Sequence, residues 1–146
     1  MNRKKFIQQT GYLLIGIPLG ITLLQSCESI YYAKSTQQNS KIIIPKTEFY
    51  KNPADANTKR KYVLLNIENL KFPVCLYHLK EEKYAAALLQ CTHRGCELEV
   101  GGGIYSCPCH GSEFNIKGEV LTGPATKHLK TYTLTTDEKN IYLQLS

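Results

Sequence analysis

No stretch of the chain carries the 3.6-residue apolar periodicity of a long amphipathic helix, and no internal repeat recurs, so helical bundles and solenoids are excluded as architectures. Histidine is scarce: there are four, His78, His93, His110 and His128. If His93 and His110 serve one site, only His78 and His128 remain for a separate mononuclear metal centre with a facial ligand triad, and the chain is too short for the second domain such a centre needs. They read as surface or structural residues. Acidic residues are the minority, 12 against 18 Lys and Arg, which gives a formal charge of +6. Three of the basic residues and none of the acidic ones fall in residues 1–26, so the charge without them is +3 and no nucleic-acid partner is implied.

What is present is concentrated in two boxes, Cys91-Thr92-His93-Arg94-Gly95-Cys96 and Cys107-Pro108-Cys109-His110-Gly111-Ser112. Two thiols and two imidazoles converge in the order C-x-H then C-x-x-H, and the second cysteine of each box is left over. Gly95 and Gly111 stand where each loop must turn sharply. A Cys2His2 zinc site is one alternative, although zinc pairs usually come as C-x2-4-C followed by H-x3-5-H and leave the two spare cysteines unexplained. A redox dithiol at Cys107 and Cys109 is another, but such pairs normally have two residues between the cysteines, where one stands here. Cys75, in the apolar run Val74-Cys75-Leu76-Tyr77, reads as a buried strand residue outside the site.

The boxes resemble the CTHxGC and CPCHGS signatures of Rieske iron-sulfur proteins, and Gly123-Pro124-Ala125 resembles the proline loop that covers the cluster in that family. The resemblance runs from about Gln90 to the C-terminus. It implies a [2Fe-2S] cluster with Cys91 and Cys107 as thiolate ligands of the inner iron and His93 and His110 as imidazole ligands of the outer one. It further implies a disulfide between Cys96 and Cys109, and a Ser112 hydroxyl that hydrogen-bonds a bridging sulfur. Neutral imidazoles in place of two thiolates make such a cluster easier to reduce, at roughly −150 to +300 mV against about −400 mV for all-cysteine plant-type clusters.

Three departures separate the chain from the quinol-oxidising members of the family. Phe114 follows Ser112 by two residues, where those proteins place a tyrosine whose hydroxyl bonds a ligand sulfur. Arg94 stands where the cytochrome bc1 type carries a leucine that docks in an apolar quinol pocket, and a charge there is costly to bury unpaired. Thirteen residues separate His93 from Cys107, a shorter connection than in the bc1 type. The missing hydrogen bond at Phe114 points to a potential in the middle of the Rieske range, and Arg94 argues against bc1-like docking.

The N-terminus has the parts of an export signal: Arg3-Lys4-Lys5, an uncharged apolar stretch over residues 11–24, then Leu24-Gln25-Ser26-Cys27. It resembles a bacterial lipoprotein signal, in which Cys27 is lipid-modified and becomes the new N-terminus. The alternative is an uncleaved anchor, although the fourteen residues of the apolar stretch are short for a span of about 20. Arg3-Lys4-Lys5-Phe6-Ile7 also resembles an imperfect twin-arginine signal. A disulfide agrees with an oxidising compartment outside the cytoplasmic membrane.

The segments expected are thus a signal or anchor at 1–26, a flexible tether at 27–40 and an all-β domain at 41–146, in which an antiparallel sandwich or barrel base carries an inserted cluster-binding lobe at about 90–126. Strands are expected at 41–44, 62–67, 74–79, 84–90, 129–134 and 141–145, with a glycine-turned hairpin over 97–105 and a terminal hairpin. The functional expectation is one-electron transfer by an exported, membrane-tethered protein on the periplasmic side of a bacterial membrane, with no catalytic residues of its own. Its partner would be a cytochrome or oxidoreductase subunit, met through Arg94, Lys117, Lys127 and Lys130, with quinol as a further candidate. The alternatives are the Rieske subunit of a quinol-oxidising complex and a zinc-stabilised module without redox function.

Overall fold

The computed structural model describes residues 29–145 apart from residue 53. The expected signal at 1–26 and the candidate lipidation site Cys27 lie outside the described residues. Thirteen strands follow in order: β1 (Thr36–Gln38), β2 (Lys41–Pro45), β3 (Tyr50–Asn52), β4 (Asp55–Lys59), β5 (Tyr62–Leu65), β6 (Val74–His78), β7 (Tyr84–Leu88), β8 (Glu99–Gly101), β9 (Ile104–Ser106), β10 (Glu113–Asn115), β11 (Val120–Thr122), β12 (Leu134–Thr136) and β13 (Asn140–Gln144). The 3-10 turn Lys46–Phe49 interrupts them, and no helix among the described residues is long and apolar enough to cross a membrane. All strand pairs are antiparallel, in a base sheet β1-β2-β13-β12, a middle sheet β5-β6-β7, a hairpin β3-β4 and a lobe sheet β11-β10-β9-β8.

The middle sheet is buried on both faces, which explains why its strands read as near-continuous apolar runs. Val63, Leu65, Val74 and Leu76 enter a base core with Ile42, Ile44, Ile141 and Leu143. The alternate residues Leu64, Cys75, Tyr77 and Ala87 enter a second core with Tyr105, Phe114, Cys91 and Cys107. β2 and β13 bury one face only, and their sequences alternate accordingly. The β6–β7 sheet is thus the wall against which the residues of the two boxes are packed.

Two local expectations are corrected. Residues 31–38 do not behave as a loose tether: Tyr31 and Ala33 exchange backbone hydrogen bonds with Leu64 at 2.9 and 2.8 Å, and Thr36–Gln38 pairs with β2. The polar composition of this segment hid the fact that its backbone, not its side chains, makes the attachment. The expected strand at 129–134 is a crossing segment. Leu129 bonds Gly118 of the lobe, Lys130 and Tyr132 bond Leu88 and Ala86 of β7, and from Thr133, whose carbonyl accepts from Gln144 N–H at 3.0 Å, it joins the base sheet.

The turn before β7 carries an ionic knot. Glu82, with φ of 55°, accepts from Lys59 Nζ at 3.1 Å and Tyr84 Oη at 3.2 Å, and Lys46 Nζ lies at 3.6 Å. The Lys59 hydrogen bond, above all, holds its carboxyl down at about 2 from the usual 4.5. A depressed carboxylate contributes stability above its unfolded pKa and loses it as pH falls through the folded one, here between 4.5 and about 2. Glu82 is half exposed, so solvent screening keeps the effect small. In urea denaturation at descending pH, Glu82→Gln should lose less stability than the parent within that window; parallel acid limbs would show that the knot contributes nothing.

Candidate metal centre

Both boxes become loops of the same construction. Each spans six residues between a paired flank, Gln90 with Glu97 for the first and Ser106 with Glu113 for the second. In the first, Cys91 N–H donates to Cys96 O at 2.8 Å and Gly95 N–H to Cys91 O at 2.8 Å; in the second, Cys107 N–H donates to Ser112 O at 2.8 Å and Gly111 N–H to Cys107 O at 2.9 Å. The fifth residue is the glycine, with φ of +76° at Gly95 and +78° at Gly111, a conformation that any side chain would strain. Protein atoms leave open space beside Gly111, so the backbone conformation is what requires glycine there.

The loops are cross-linked by a disulfide between Cys96 and Cys109, with Cα atoms 6.6 Å apart. The Cys107 sulfur lies within 4.8 Å of both disulfide sulfurs. Cys91 and Cys107 are free and buried, at the floor of the loops in the second core. Above them the His93 and His110 rings meet edge to face with centroids 4.9 Å apart; His93 is half-buried and His110 exposed. His93 Nδ1 is buried and has no hydrogen-bond partner among the protein atoms. An imidazole nitrogen in that condition costs free energy unless something else binds it. Two buried free thiols and an orphaned imidazole nitrogen beside a second imidazole fit a metal centre of mixed sulfur and nitrogen ligation.

A third loop closes over the other two. The Gly123–Pro124 peptide is cis, Ala125 N–H donates to Ser112 Oγ at 3.0 Å, and the Thr92 hydroxyl donates to Lys127 O at 2.6 Å. Ser112 is the one polar or charged residue buried among the described residues, and accepting from Ala125 leaves its O–H to donate elsewhere. Thr92 gave no local signal, because its partner lies 35 residues away.

The remaining sequence candidates fall outside the loops. Cys75 is fully buried under the lobe beside Tyr105, and burial pushes its thiol up to about 12, against the opposing hydrogen bond with the Tyr105 hydroxyl. His128 Nδ1 accepts from Val120 N–H at 3.1 Å, and His78 packs between Phe49 and Tyr84, so both are structural. Phe114 is fully buried in the second core with Cys91 and Cys107. Arg94, Lys117, Lys127 and Lys130 are all exposed.

An all-β base bearing paired, disulfide-linked loops with thiol and imidazole donors defines an iron-sulfur class in which histidine shares the ligation with cysteine. Residues 50–133, more than half of the chain, match the Rieske [2Fe-2S] domain, and the chain belongs to that family. The cofactor of the family is the [2Fe-2S] cluster, and the zinc reading falls with that assignment. The cytochrome b6-f complex iron-sulfur subunit of Synechococcus sp. (strain JA-2-3B'a(2-13)) is 42% identical over 53 residues, which are 35% of this chain and 31% of that subunit. The chain thus matches under a third of the length of that relative. Among solved structures, the plasma membrane Rieske protein of the cyanobacterium Synechocystis PCC 6803 superposes with a TM-score of 0.51 at 33% identity, over 57% of this chain and 86% of that one. Naphthalene 1,2-dioxygenase shares the fold, with a TM-score of 0.53 at 18% identity over 80% of this chain and 27% of that one.

Proposed function

We propose that the chain is a membrane-tethered one-electron carrier, with its [2Fe-2S] cluster held by the thiolates of Cys91 and Cys107 and the imidazoles of His93 and His110. The observation that carries this reading is the buried, partnerless Nδ1 of His93, whose ring packs edge to face with that of His110 between two loops of the same construction. When bound, the cluster supplies reversible one-electron reduction at a potential raised by imidazole ligation. Cys91 and Cys107 hold the buried side, and the third loop, through Ser112 and Thr92, keeps water from it. His110 is exposed, and a ligating imidazole keeps one ring nitrogen with which to exchange a proton or donate to a docked partner. Arg94 and Lys127 stand exposed on the loops that form this tip and suit an acidic redox protein such as a cytochrome. Iron and acid-labile sulfide in equal amounts, with an EPR signal on reduction, would bear this out; zinc and no reducible centre would end it.

A second reading, favoured by the cytochrome b6-f relatives, is that the chain is the Rieske subunit of a quinol-oxidising complex outside the cytoplasmic membrane. Co-purification with a cytochrome b from solubilised membranes would support it. Phe114 and Arg94 speak against it. A tyrosine hydroxyl at position 114 would stabilise the reduced cluster, and hydrogen bonds to charged groups contribute about 1.5 kcal/mol. For one electron that is a rise on the order of 60 mV. Phe114→Tyr should therefore raise the midpoint potential in voltammetry, and an unchanged or lower value would remove Phe114 as a determinant.

A further inference from the structure

Large apolar side chains are exposed at three described positions: Ile30 at 66%, Tyr32 at 47% and Leu121 at 54%. The first two are neighbours on one face. With Tyr62, Leu98, Val100 and Pro108 they line a groove of about 550 Å³ that runs from the start of the described chain to the second cluster loop. Pro108 lies between Cys107 and the disulfide Cys109, so this face borders the metal centre.

The chain enters the domain beside this groove on a very short lead. Tyr31 is fixed by three contacts: its carbonyl accepts from Leu64 N–H at 2.9 Å, its hydroxyl donates to Glu48 at 2.9 Å, and the Arg60 guanidinium sits 3.8 Å above its ring; Ala33 N–H then bonds Leu64 again. Four residue steps separate Tyr31 from Cys27, at most about 14 Å of chain however it is extended. A lipid on Cys27, or an anchor ending there, would therefore hold Ile30 and Tyr32 at the bilayer surface. Tyrosine and proline beside aliphatic side chains suit the boundary between headgroups and acyl chains. Glu97 and Glu99 border the same groove, which limits the contact to that level and forbids deeper insertion.

We propose that this face, from Ile30 and Tyr32 to Val100 and Pro108, is a lipid-contact surface that seats the domain on its membrane with the second cluster loop next to the bilayer. The inference rests on the N-terminal tether of the reading above. It replaces a freely swinging head with a docked one.

The chain contains no tryptophan, so one substitution creates a unique fluorophore. The test uses the full-length, cluster-loaded protein in vesicles of phosphatidylethanolamine and phosphatidylglycerol, with and without acyl chains brominated near the headgroup. Val100→Trp reports the face at a site remote from the tether in sequence, and Glu99→Trp serves if the first variant does not retain its cluster. Leu121→Trp, on β11 at the opposite edge of the lobe sheet from β8, is the control. Bromine should lower the Val100→Trp emission to about half or less while leaving Leu121→Trp unchanged, and Ile30→Ser with Tyr32→Ser should abolish the difference. Equal emission from both reporters on vesicle-bound protein overturns the docking face alone. A blue-shifted Val100→Trp emission that bromine does not quench also overturns it, because the face is then covered by protein. Failure of the parent to float with the vesicles removes the tether, and the docking face with it.

Discussion

Cys107→Ser should abolish the cluster outright: iron and acid-labile sulfide fall to background, and the visible absorption and reduced-state EPR signal disappear. A serine hydroxyl is a hard, protonated donor that does not replace a thiolate toward iron. Cys75→Ser is the matched comparison, since both cysteines are free and buried and the exchange is isosteric. At Cys75 the new hydroxyl is buried beside the Tyr105 hydroxyl, which can partner it, so the cost in stability is at most about 1–3 kcal/mol and the metal content should remain full. Metal retained in Cys107→Ser and lost in Cys75→Ser would redraw the ligand set.

The second large effect concerns the disulfide. Cys96 and Cys109 are 13 residues apart, and closing a loop of that size restrains the unfolded chain by about 3 kcal/mol. In a domain of this size, that corresponds to a fall in melting temperature of roughly 10 °C or more. The cross-link also joins the base of the first loop to the middle of the second, so its removal should speed cluster release as well as lower stability. In Cys96→Ser with Cys109→Ser, the melting point by circular dichroism and the decay of visible absorbance at fixed temperature are the two readouts. A melting point close to the parent's would mean that the third loop, with Thr92 and Ser112, holds the site closed on its own.

Much of the geometry of the candidate site was legible because its residues are close in sequence. Cys91, His93, Cys107 and His110 lie in two six-residue boxes, and the glycine at the fifth position of each announces the positive φ that the loops adopt. The terminal hairpin and the glycine-turned hairpin of the lobe were legible for the same reason. What escaped was non-local. The clamps from Thr92 to Lys127 and from Ala125 to Ser112 join loops far apart in sequence. The attachment of residues 31–33 runs through backbone groups that every residue possesses, so composition could not reveal it. The extended segment at 129–133 carries strand-like residues but crosses from the lobe past β7, where Thr131 bridges Ala87, to the base sheet, so its partners change along its length.

The middle sheet also works as a register key. On β6 the residues facing the base, Val74 and Leu76, are aliphatic, while Tyr77 faces the lobe against the rings of Tyr62 and Tyr105. A slip of β6 by one residue would exchange these two sets, driving a phenol into an aliphatic interior and leaving Tyr105 without its stacking partner. Misaligned pairings are therefore penalised on both faces at once. The alignment of β6 is thus specified by its own side chains and the two cores that they enter.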